Sequence, residues 1–287
     1  MELKYVVKND IYKDINDILI HEFKMSNRLI LKLINKKLVY LNGNYSVTRN
    51  SVSLGDTISI NMDFDEDNSN IVATKMDLNI LYEDEWFMVL DKPAKIAIHP
   101  SILHYDTSLS NGIKYYFDSI GLHKKIRPVN RLDSNTSGVT IFAKCEYIQE
   151  QFSRQMKENI FRKEYLCLAE GVFNKKKGTI NLPIARKAGS IIERCIDKNG
   201  QTSITHYEVL KEFHNQFGSY SLVKCVLETG RTHQIRVHLS AIGHPLICDT
   251  LYGTQNENTA SKSAHLFIDR QALHSHKITL IHPVTKK

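Results

Sequence analysis

The chain has 287 residues, 42% hydrophobic and 24% charged, which excludes a mostly disordered, collagenous or coiled-coil polymer and leaves room for two domains. Thirty-eight Lys and Arg against thirty-one Asp and Glu give a net charge of +7, favouring a polyanionic partner over an acidic metabolite. The five cysteines include no CxxC pair for zinc or redox work, the N-terminus lacks a signal-peptide pattern, and no apolar run approaches the roughly 18 residues of a membrane span; a reducing, cytoplasmic location is expected, with no membrane partner.

Residues 15–23 read as a short helix, and a second begins after Ser26, a plausible N-cap, with Leu29, Ile30, Leu33 and Ile34 on one face. Residues 38–41 read as a strand entering a tight turn at Asn42-Gly43, and Gly55-Asp56 as a turn feeding another strand. Arg28, Lys32 and Lys36 are spaced i, i+4, i+8 and share one helix face. Residues 1–62 carry nine basic and six acidic side chains, residues 63–91 one and nine, and residues 92–287 twenty-eight and sixteen. The acidic stretch, without apolar periodicity, is expected to be a linker over residues 63–76, dividing a small basic domain (1–62) from a large one (77–287).

In the large domain, residues 80–82 and 87–90 suggest a hairpin ended by Lys92-Pro93. Strands are expected at 138–143, 165–169, 204–210, 220–227 and 276–281, and a helix at 147–157. Short connections without regular βαβ alternation predict an α+β fold with a mixed, largely antiparallel central sheet.

Three segments hold more chemistry than strand packing needs. Arg131 to Gly138 places Asp133 in a turn-like stretch beside an arginine and two hydroxyls, Thr136 and Ser137; Lys163-Glu164-Tyr165 puts a tyrosine at a strand's mouth. The run from Glu228 to Pro245, then Asp249 to Gly253, is dense in Arg, His and Gln, including Arg231, His233, Gln234 and Arg236. Side-chain-to-backbone bonds in a loop and ordinary strand packing are the structural alternatives for the first two. A nucleophilic aspartate would need a cationic partner and a base. His233 and His238 are not at the i, i+4 spacing of a helical metal pair, and no P-loop, GxGxxG or GxSxG pattern is present; no metal and no nucleotide cofactor is proposed.

These segments resemble the RluA/RluD-type pseudouridine synthases. That family's H-R-L-D-x-x-T-S-G stands here as Asn130 to Gly138, its E-D…V…K-P followed by H-P as Glu83-Asp84, Val89, Lys92-Pro93 and His99-Pro100, and its K-x-Y as Lys163 to Tyr165. Its T-G-R-T-H-Q-I-R-V-H is unbroken from Thr229 to His238, with closing elements at Leu273-His274-Ser275 and His282-Pro283. Asn130 replaces a histidine, Lys95 stands where the family usually has glycine, and Cys248 replaces the glycine before Asp249. The first sixty residues resemble the S-four-like, or alpha-L, RNA-binding domain, whose turn pairs match Asn42-Gly43 and Gly55-Asp56.

The resemblance implies a cofactor-free RNA isomerase with Asp133 as nucleophile, Arg236 as its ion-pair partner, and Tyr165 stacking on the uracil and serving as general base. It also implies that Arg131 fills the space of the extruded base. Thr136, Arg231, His233 and Gln234 join it in holding the substrate, and Arg28, Lys32 and Lys36 grip phosphates at a distance. The expected partner is large-subunit (23S-type) ribosomal RNA, with transfer RNA or a catalytically silent, ribosome-assembly role as alternatives, and the expected state is a monomer.

Overall fold

The computed structural model describes residues 1–102, 104–215, 218–253 and 268–287. Its first unit comprises β1 (Glu2–Val6), α1 (Ile15–His21), α2 (Asn27–Asn35), β2 (Val39–Leu41), β3 (Asn44–Tyr45) and β4 (Thr57–Asn61). Both helices start where capping chemistry dictates: Asp14 accepts from the Asp17 N–H at 3.0 Å and Ser26 Oγ from the Leu29 N–H at 3.2 Å. Asn42 and Gly43 have φ of 50° and 81°, as a two-residue hairpin turn with strand-matched twist requires. Asn42 also donates to Asp56 and accepts from the Thr57 N–H, each at 2.8 Å, so the two turn pairs close on each other. The antiparallel sheet runs β1-β4-β2-β3. Sequence reasoning missed β1, whose single fully buried residue, Leu3, leaves almost no alternation to read.

The second unit comprises β5 (Ile80–Glu83), β6 (Phe87–Lys92), α3 (Leu109–Ser119), β7 (Arg127–Pro128), β8 (Ser137–Ala143), α4 (Glu146–Lys157), β9 (Arg162–Glu170) and β10 (Lys177–Asn181). It continues with β11 (Ile184–Arg186), β12 (Arg194–Ile196), β13 (Ile204–Asn215), β14 (Gly218–Leu227), α5 (Gln234–Ala241) and β15 (Leu273–Thr279). The central sheet has the order β10-β13-β14-β9-β15-β8-β6-β5, with β7 beside β8 and β11 paired with β12 apart from it. Every pairing is antiparallel except β15 with β8, so the class is α+β with a mixed, mostly antiparallel sheet. The parallel contact depends on Gly138: its φ is +108°, and a Cβ there would stand 2.2 Å from the Ser275 carbonyl oxygen. Glycine lets β15 close beside β8 and sets Ser275 opposite Tyr165 on β9.

Residues 63–79 form no helix or strand, yet they are tied to both units. The buried Lys124 donates to the Phe64 carbonyl at 2.6 Å. Glu66 accepts two bonds of 2.7 Å from Arg127 and one of 2.9 Å from Lys32. Lys32 also reaches Glu146 of α4 at 3.0 Å, and Arg28 the same carboxylate at 2.5 Å. The apolar core runs without a break from Ile18 and Leu29 to Phe152 and Phe161.

Burial works against ionisation of Glu66, but Arg127 and Lys32 outweigh it and hold the carboxyl at about 2, below its ordinary 4.5. A pKa lower in the folded than in the unfolded chain adds stability above pH 4.5 that is lost as pH falls towards 2. The shift corresponds to about 3 kcal/mol. Glu66→Gln is therefore expected to lose most of that stability at pH 7 and to flatten the acid limb, as read by guanidinium melts at pH 7 and pH 3. An acid limb identical to that of the wild type contradicts this assignment.

Candidate active site

Asp133 lies in the loop between β7 and β8, Tyr165 on β9 and Arg236 on α5, and all three line one pocket. The Arg236 Nη1 donates to Asp133 Oδ2 at 3.1 Å, while its Nε and Nη2 grip both oxygens of Asp249 at 2.7 and 2.8 Å. Asp249 is fully enclosed and also accepts from the Leu251 and Tyr252 N–H groups at 3.0 and 3.1 Å. One buried carboxylate thus fixes the guanidinium, whose remaining nitrogen faces Asp133. The run expected to carry chemistry near a glycine turn is in fact the start of a helix. Gln234, Arg236 and His238 are all buried there, so α5 has no polar face and no amphipathic period to betray it.

The Asp133 loop is pinned by groups to which the sequence assigned no such role. Lys92, with no exposed surface, donates to the carbonyls of Pro93, Ile96 and Ser134 at 2.9, 2.8 and 2.8 Å. Arg270 donates to the Asn135 carbonyl at 3.2 Å, and the Thr136 N–H to the Asp133 carbonyl at 3.0 Å. Asn130, which replaces the motif histidine, accepts from the Ile141 N–H and donates to the Val139 carbonyl; it fastens the loop to β8 and leaves the Asp133–Arg236 pair alone. Burial pushes the Lys92 ammonium down to about 8, partly opposed by Asp133. Above that pH a neutral amine offers two N–H groups to three carbonyls. Activity is therefore expected to fall above pH 8, and Lys92→Met to remove that limb while lowering the rate about tenfold. A pH–rate profile of the variant that keeps the wild-type alkaline limb contradicts this role.

Tyr165 is 6% exposed. Burial raises its phenol pKa, Asp133 adds to the shift, and the Ser275 hydroxyl opposes it. The hydroxyl stays protonated at neutral pH, which suits an aromatic wall and a hydrogen-bond donor and argues against the expected general-base role. His233, at φ 60°, bonds Tyr252 Oη through Nδ1 at 2.8 Å and holds Nε2 3.9 Å from Asp133 Oδ2. Burial lowers its pKa, leaving a neutral imidazole beside the carboxylate.

Other expected substrate contacts divide in two. Arg131 and Arg231 are exposed and border the pocket. Gln234 is buried and accepts from Thr229 Oγ1 and the Arg231 N–H while donating to Ile204 O and Thr205 Oγ1; with every polar atom engaged inside the protein, it serves the fold rather than RNA. Thr136 is 2% exposed and its hydroxyl accepts from Gln271 at 3.4 Å, so it too supports the loop. Arg28, Lys32 and Lys36 lie away from the pocket, and the first two are paired with acids as described above.

A family model described as RNA pseudouridylate synthase matches residues 86–241. A Bacillus subtilis protein described as uncharacterised RNA pseudouridine synthase YhcT is 36% identical over 262 residues, covering 91% of this chain and 83% of that protein. The ribosomal large subunit pseudouridine synthase D of Nitrosomonas europaea is 32% identical over 250 residues, covering 87% and 71%. The solved structure of human RNA Pseudouridylate Synthase Domain Containing 1 aligns with a TM-score of 0.57 and 28% identity over 70% of this chain and 78% of that one. The chain belongs to the RNA pseudouridine synthase family. It is an isomerase, and its substrate is RNA. No helix among the described residues is long and apolar enough to cross a membrane.

Proposed function

We propose that the protein converts uridines of large-subunit ribosomal RNA to pseudouridine with Asp133 as the nucleophile. The observation that carries this reading is the Asp133–Arg236 ion pair at 3.1 Å, set in a pocket walled by Tyr165. The reaction breaks the bond from uracil N1 to ribose C1′, turns the base, forms a bond from C5 to C1′, releases the C5 proton and leaves N1 carrying a proton in its place, so that product and substrate are isomers. Attack on C1′, addition to the uracil ring and elimination through a glycal all need an ionised carboxylate against the target nucleoside, at the sugar for the first and third and at the base for the second. Arg236, held rigid by Asp249, gives that carboxylate a fixed ion-pair partner. Tyr165 stacks on the extruded uracil, Arg131 occupies the vacated space, and Asp133 and His233 are the acceptors the pocket offers for the C5 proton.

The ribosomal assignment draws on relatives whose names specify the ribosomal large subunit. The first unit supports it as an S-four-like RNA-binding domain over residues 1–62, with Lys36 exposed at the C-cap of α2 and Arg28 reachable at the rim of its ion pair. Residues 63–76 act as the link to the catalytic domain, and the protein works in the cytoplasm as a monomer without a nucleotide cofactor. Mapping pseudouridines in RNA from cells with and without the gene tests the substrate. Sites lost from large-subunit ribosomal RNA are expected, and sites lost from transfer RNA alone would overturn the assignment.

A further inference from the structure

The pocket around Asp133 opens into a cleft of about 440 Å³ whose lining includes Asp133, Tyr165, Arg131, Arg231 and Lys163. Lys163 is the unusual member. It is 9% exposed, and among the described residues nothing hydrogen-bonds or pairs with its ammonium. A buried cation is ordinarily paired or neutralised; the neighbouring buried lysines obey that rule, Lys92 with three carbonyls and Lys124 with two carbonyls and Asp63. Burial lowers the Lys163 pKa and the like charge of Arg231 adds to the shift, as expected of a cation lacking its anion.

The geometry gives that anion a place. Lys163 and Tyr165 are two residues apart on β9 and both sit on its buried face, so their side chains emerge side by side, about 6.6 Å apart along the strand. A Cβ at Gly230 would stand 3.2 Å from Lys163 Nζ; the glycine leaves the ammonium room at the cleft. Of the two carboxylates lining the cleft, Asp133 is engaged by Arg236 and Glu228 by His206 at 2.5 Å. A second cleft, of about 400 Å³, shares Arg131 and Arg231 with the first and adds Arg186 and Arg194, continuing the cationic path away from the site.

We propose that Lys163, with Arg231, forms a seat for one phosphodiester of the strand beside the extruded uridine. This rests on the reading of the protein as a uridine isomerase acting on RNA. A base stacked on Tyr165 brings its backbone to Lys163, so a contact made there fixes how far the strand enters and hence where the ribose meets Asp133. Arg231 supplies a planar fork from the rim, and the lysine a point charge from the cleft wall.

The test uses the full-length protein and a large-subunit ribosomal RNA transcript tritiated at uracil C5, with initial rates of tritium release followed against RNA and KCl concentration. Lys163→Met is expected to raise KM about tenfold with kcat within about threefold, and to reduce the slope of log KM against log salt by about 0.7, the loss of one single-strand phosphate contact. Lys163→Arg restores most of the affinity. Arg231→Gln, at an exposed position, gives the same signature and keeps the test available should Lys163→Met fold poorly. An active enzyme whose KM and salt slope are unchanged in Lys163→Met, or in Arg231→Gln where that variant replaces it, overturns the seat and leaves the isomerase reading intact. A wild-type protein that releases no tritium from ribosomal or transfer RNA overturns both.

Discussion

Asp133→Asn is expected to reduce pseudouridine formation by at least about 10³-fold while leaving the fold in place. The amide keeps the shape of the carboxylate but has neither the charge to meet a developing cation at C1′ nor the nucleophilicity to bond it. Stability is expected to change little, since Asp133 keeps a quarter of its side chain exposed and Arg236 retains both bonds to Asp249. Single-turnover conversion, with a thermal melt as the folding control, measures both quantities. A rate within tenfold of wild type would remove Asp133 from the chemistry.

The second large effect is at Asp249, which never faces the substrate. Its carboxylate has no exposed surface and accepts four bonds, two from Arg236 and two from backbone N–H groups. Asp249→Ala strands a buried guanidinium, a loss of about 3–5 kcal/mol. The freed Arg236 then turns its fork onto Asp133, so activity should fall by about 100-fold or more even at temperatures where the variant is folded. Urea melts and low-temperature rates separate the two consequences. A stability loss under about 1 kcal/mol would show that the pair is not the anchor described here.

Much of the site was legible in the sequence because its parts are short, local patterns. The loop bearing Asp133 precedes an apolar strand, Tyr165 follows a charged pair in a strand that begins three residues earlier than the sequence suggested, and the run to His238 is too polar for ordinary packing. Their convergence in one pocket could be expected from family resemblance, not from spacing. The partners that hold these groups were illegible for a physical reason. Asp249 is visible only as part of a polar segment and Lys92 only as a strand end and a motif position; the partners they hold appear when folding buries them against Arg236 and the Ser134 carbonyl.

The missed helices have local causes. In α3, Asn111 and Gly112 sit in the first turn, where Asn111 closes a capping box with Ser108 and a Cβ on Gly112 would stand 3.0 Å from Met76; tertiary packing outweighs weak propensity there. The basic face of α2 was legible as a pattern, but not its pairing with Glu66 and Glu146 across the chain. Two departures from the family pattern acquire a meaning. Lys95 and Cys248 stand where glycine is usual, and their φ values are 68° and 60°. The backbone keeps the left-handed turn at both, at a steric cost of about 1–2 kcal/mol for each non-glycine residue.

The central claim is that this pocket isomerises uridine through Asp133. Tritium release from uracil C5 in unmodified large-subunit ribosomal RNA, compared between the wild-type protein and Asp133→Asn, tests it most directly. Stoichiometric release matching the pseudouridine formed, with none from the variant, is the predicted result; equal release from both proteins, or none from the wild type, would contradict it.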